Sequence, residues 1–63
     1  MPSRKQWETA ADLIRQYRDN AENECEARAS YHELQRDDLE AIKWRFTRQL
    51  ILRIRRGEKP PPA

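Results

Sequence analysis

Apolar residues recur along this chain at helical spacing and never alternate at the period of a strand. At about 100° per residue, Trp7, Ala10, Ala11, Ile14, Tyr17, Ala21 and Cys25 fall on one stripe, with Leu13 at its flank. Beyond Cys25 the stripe lapses. Arg28 and His32 occupy its continuation, while Ala27, Tyr31 and Leu34 have moved to another side. A second stripe then runs through Leu39, Ile42, Phe46, Leu50 and Ile54 at spacings of three and four.

Gly and Pro are absent from Ser3 to Arg56, and Ala, Leu, Arg, Glu and Gln dominate, so helix is expected throughout. Ser3 with Gln6 forms a capping-box pattern at one end, and Gly57 followed by Pro60, Pro61 and Pro62 is a stop signal at the other. The change of stripe implies a turn, or one long helix whose buried face changes partner. Ser30 with Glu33 repeats the capping pattern, which predicts the turn in Ala27–Ser30. Asp37 with Glu40 repeats it again, so a short third helix between the two signals also fits. An unbroken helix from Ser3 to Arg56 would be about 80 Å long and would leave both stripes bare. A hairpin buries them against each other.

The expected fold is therefore all-α: a helical hairpin over residues 1–57 with a flexible Pro-rich tail at 58–63. Two helices enclose no core, so the hairpin is expected to homodimerise into an antiparallel four-helix bundle. Its core would be Trp7, Ile14, Tyr17, Ala21, Cys25, Leu39, Ile42, Phe46, Leu50 and Ile54. Composition strengthens this expectation. With 37% apolar and 38% charged residues in 63 positions, a lone chain has little to bury.

Net charge of +2 conceals segregation along the chain. Residues 1–18 carry +2, residues 19–40 carry −6 and residues 41–63 carry +6. In a hairpin the acidic middle lies at the turn and the basic ends lie together, so two hairpins laid antiparallel match acid to base. The basic third contains KWRFTRQLILRIRR, in which Arg45, Arg48, Arg55 and Arg56 face away from the apolar stripe. Trp44 lies on a flank and Leu52 among the arginines. Trp44, Arg45, Arg48, Leu52, Arg55 and Arg56 thus form a candidate partner surface. Three readings suit it: a solvated back with a protein partner, a phosphate-contacting face for nucleic acid, and a helix lying on a membrane surface.

Site chemistry is nearly absent. Cys25 and His32 stand two helical turns apart, about 10 Å in rise, too far to hold one metal. His32–Glu33 begins an H-E-x-x-H pattern, but Arg36 replaces its second His. There is no Gly-rich phosphate loop and no nucleophile motif, so no enzyme activity, cofactor or metal is expected. The lone Cys25 permits no internal disulfide, no apolar run reaches the roughly 18 residues that span a bilayer, and MPSRKQWE lacks the apolar core of a signal peptide. A cytoplasmic protein is expected. In size, charge and helicity the chain is similar to small accessory proteins of bacteriophages and plasmids, a likeness that rests on no motif. The expected function is a non-enzymatic regulatory or interaction protein that homodimerises and binds another protein. A nucleic-acid-binding regulator using the Arg-rich helix is the alternative.

Overall fold

The computed structural model describes residues 2–60, which are helical with no strand among them. Helix α1 spans Arg4–Tyr17, a single 3-10 turn spans Arg18–Asn20, α2 spans Ala21–Leu34 and α3 spans Asp38–Arg55. The fold is all-α. Helices α2 and α3 form an antiparallel hairpin, and α1 lies over the C-terminal half of α3.

Each boundary has a local cause. Ser3 caps α1 as its sequence pattern predicts: its Oγ accepts from the Gln6 N–H, and the Gln6 side chain accepts from the Ser3 N–H at 2.7 Å. Asp37 caps α3 by accepting from the Glu40 N–H. Helix α2 ends in a Schellman turn. The Asp37 N–H donates to the His32 carbonyl at 2.8 Å and the Arg36 N–H to the Glu33 carbonyl at 3.0 Å, with Arg36 left-handed at φ 59°. The end of α3 repeats the same bonds, from Glu58 to Arg53 and from Gly57 to Ile54, with Gly57 at φ 97°. One left-handed position is occupied by glycine and the other by arginine.

The turns differ from those expected. Ala27–Ser30 is no turn; it lies inside α2, and Ala29 there is fully buried. The inner face of α2 is Ala21, Cys25 and Ala29, one side chain per turn and all small, which lets α3 approach closely. Such a face carries a weak hydrophobic signal, so its continuation past Cys25 goes unseen in the sequence. The hairpin turn sits instead at Gln35–Asp37, at the later of the two capping signals. A second break, at Arg18–Asn20, falls within the first stripe and conforms to the turn preference of Asp and Asn. Because that 3-10 turn occupies nearly one helical repeat, Tyr17 and Ala21 keep their spacing across it and the stripe hides it.

The core consists of Trp7, Ala10 and Leu13 from α1, Ala21 and Cys25 from α2, and Leu50 and Ile51 from α3. Ile14, Tyr17, Trp44 and Ile54 pack against it half-buried. Ala29, Ala41 and Thr47 are also buried, and the Thr47 hydroxyl donates to the Lys43 carbonyl at 2.9 Å. Leu39, Ile42 and Phe46, expected in the core, lie outside it in the single chain. Helix α3 turns Ala41, Trp44 and Ile51 toward α2 instead. In the tail, Glu58–Pro60 are exposed and non-helical, while Pro61, Pro62 and Ala63 lie outside the described residues.

Candidate interaction surface

The second stripe of the sequence runs the length of α3, and its cover changes along the way. Leu50 is 0% exposed, Phe46 38%, Ile42 62% and Leu39 82%. The cause is the placement of α1. Trp7 lies beneath the Arg53 guanidinium, which stands 5.1 Å above its ring, and borders Ile54 in a cleft beside Lys59 and Pro60. Ala10 and Leu13 reach Leu50 within the core cluster. Toward the N-terminal half of α3, only Pro2 and Gln6 at the start of α1 extend. There they form one wall of an open recess of about 380 Å³ whose other lining is Leu39, Ile42, Lys43 and Phe46. Past this wall the stripe has no third helix over it. Tyr31 and Leu34, near the hairpin tip, are also exposed, at 60% and 84%.

On the basic side of α3, two of the arginines are engaged by acids of the same chain. Arg55 donates to both Glu22 carboxylate oxygens, at 2.6 and 2.9 Å, and also to the Arg18 carbonyl. Arg45 donates to Glu33 at 2.8 Å and lies 3.9 Å from Glu26. Both arginines therefore clamp α3 to the acidic helix α2 of the same chain. The hydrogen bond from Arg55 holds the Glu22 carboxyl below its ordinary pKa, and that from Arg45 does the same for Glu33. Each arginine is held more firmly protonated in return.

Trp44 is likewise engaged. Arg28 stacks over it at 4.7 Å while donating to Glu24 at 2.9 Å and to the Tyr17 hydroxyl at 3.1 Å. Of the remaining candidate residues, Leu52 and Arg48 are half-buried and Arg56 is exposed. Among the described residues, neither Arg48 nor Arg56 forms an ion pair, although Arg48 adds to the field that lowers Glu22. The six residues thus do not make one continuous open face.

Other chemistry is sparse. Cys25 is fully buried, and burial pushes its thiol up to about 11. His32 lies 3.9 Å from Asp37 across the hairpin turn. No group of three His, Cys, Asp or Glu side chains suited to a metal occurs among the described residues. No helix among them is long and apolar enough to cross a membrane. The cleft bounded by Trp7, Ile54 and Pro60, about 290 Å³, is rimmed by Arg4, Glu8, Glu58 and Lys59. No known protein family, curated protein or solved structure matches the chain.

The sequence singled out Leu39, Ile42 and Phe46 and assigned them to the core of a dimer. Pro2, Gln6 and Lys43, which complete the recess, carried no signal of a place beside that stripe. Their role follows from where α1 starts, and that depends on the break at Arg18–Asn20.

Proposed function

We propose that this chain is a small, non-enzymatic regulatory protein that works by association, with itself and with another protein, through the uncovered half of α3. The observation behind this reading is the exposure of Leu39, Ile42 and Phe46 in a row beside an open recess. Isolated exposed apolar residues are ordinary on a protein surface; an aligned set beside a groove is the usual form of a helix-docking site. Full cover of the three side chains would contribute about 3–5 kcal/mol per copy, given about 1.5–3 kcal/mol for each fully buried one. Two copies together give about 6–10 kcal/mol, and the cost of immobilising two bodies, at least about 4 kcal/mol, leaves about 6 kcal/mol at most, which suits weak association at tens of micromolar or above. The free Cys25 suits a reducing cytoplasm, and the style of the chain remains that of phage and plasmid accessory proteins.

Nucleic-acid binding is the second reading, and Arg48 and Arg56, without ion pairs among the described residues, favour it. Arg45 and Arg55 weigh the other way, since phosphate would have to displace Glu33 and Glu22. Sedimentation equilibrium at up to about a hundred micromolar tests the first reading. The wild-type chain should exceed its 7.6 kDa mass, and Leu39→Glu/Ile42→Glu should return it to a helical monomer. A wild-type monomer, with duplex DNA bound at about 150 mM salt, would favour the second reading instead.

A further inference from the structure

Resting on the association reading, we infer that the recess takes a second copy of this chain, α3 against α3 in antiparallel two-fold contact about the Ile42–Lys43 step. The stripe is built for its own reverse. With the axis at that step, Leu39 of each copy faces Phe46 of the other, and the two Ile42 side chains meet beside the axis. Leu39, the most exposed of the three at 82%, thereby enters the recess floored by Phe46 and walled by Pro2 and Gln6, whose volume is about 380 Å³. The matched span is only about 10 Å long at 1.5 Å per residue, so the contact ends where α1 begins to cover α3.

Charge fits the same arrangement. Asp38 precedes Leu39, and Lys5 precedes Gln6, which lines the recess; neither Asp38 nor Lys5 forms an ion pair among the described residues. Antiparallel docking carries the Asp38 end of one copy to the Lys5 end of the other, twice by symmetry. A parallel pairing would instead bring Asp38 to Asp38. The two-fold contact also closes on itself, so it yields a dimer and no filament.

Cysteine cross-linking of the full-length chain tests the register, and the buried Cys25 should stay out of reach in the folded protein. Ile42→Cys stands beside the axis. Gln49→Cys stands on the same side of α3, but its two copies lie about 20 Å apart in the antiparallel dimer and side by side in a parallel one. Under mild oxidation at about a hundred micromolar, Ile42→Cys should form covalent dimer at least about tenfold faster than Gln49→Cys. Equal linking of both variants would mean parallel pairing and overturn the inference. A dimer in sedimentation that Leu39→Glu/Ile42→Glu abolishes, but in which Ile42→Cys does not link, would overturn the register and leave the association reading standing. A wild-type monomer in sedimentation would remove both the second copy and the self-association on which it rests.

Discussion

The two halves of α3 carry the same apolar stripe at the same spacing and meet opposite fates. From Leu50 onward the stripe is sealed by Trp7, Ala10 and Leu13 of α1; from Phe46 back to Leu39 it opens steadily to solvent. The difference lies in α1, which turns back at Arg18–Asn20 and spends its apolar face on one half only. A helix face is thus assigned to the core or to an outside partner by the length and entry point of its neighbour, as much as by its own residues. The arginine clamps make the same point for charge. Arg55 grips Glu22 near the sealed end and Arg45 grips Glu33 near the open end, so the hairpin is clamped at both ends while its apolar cover is not.

The strongest way to break this comparison is paired truncation. Leu50→Ala, in the sealed half, should cost about 2–5 kcal/mol, enough to unfold most of a chain this small. Ile42→Ala, in the open half, should change the melting of a dilute sample by no more than about 0.5 kcal/mol. Equal losses at the two sites, read by circular dichroism during urea unfolding, would mean that Ile42 belongs to the chain's own core. Phe46→Ala should fall between the two, since it is only partly covered.

Charge sharpens the comparison at a smaller scale. Arg55→Gln should cost about 0.5–1 kcal/mol, because the clamp is partly exposed. Glu22 and Glu33 titrate lower in the folded chain than in the unfolded chain. Their contribution is therefore complete above the usual carboxylate range and disappears as pH falls through the lower folded values. Acid titration of the melting temperature should show that loss, with a shallower fall in Arg55→Gln. An unchanged slope would mean the Glu22 clamp is not formed in solution.

A comparably small effect is expected at the hairpin turn, where Arg36 adopts a left-handed backbone that glycine adopts freely. Arg36→Gly should raise stability by about 0.5–1 kcal/mol, while the same change at Arg56, whose backbone is not left-handed, should not. Cys25 is the least demanding probe. Its burial and raised pKa predict no reaction with maleimide in the native chain and prompt reaction once urea unfolds it.

The caps were legible in the sequence because they follow local rules: Ser3 with Gln6, Asp37 with Glu40, and Gly57 before the prolines. All-helical character was legible for the same reason. The hairpin's own turn was half visible. Its Asp37 cap could be read, but its left-handed residue is an arginine, and Ser30 with Glu33 presented the same cap signature inside a continuous helix. The break at Arg18–Asn20 left the spacing of the first stripe intact and so left no trace in periodicity. From that one omission follows the expectation that a two-helix hairpin covers the whole second stripe, whereas α1 covers only its C-terminal half. The partners of the arginine face were not legible for a different cause: a helical wheel shows which charges point together but not which acids stand opposite, and Glu22, Glu26 and Glu33 stand opposite Arg55 and Arg45.

That the open half of α3 belongs to an outside helix is tested most directly by melting temperature across a concentration series, because mass action stabilises an associating fold as it is concentrated. The wild-type chain should melt progressively higher from low to high micromolar concentration. Leu39→Glu/Ile42→Glu should melt at one temperature throughout, equal to the dilute limit of the wild type. Two concentration-independent curves would contradict the account and leave the exposed stripe without a partner of its own kind.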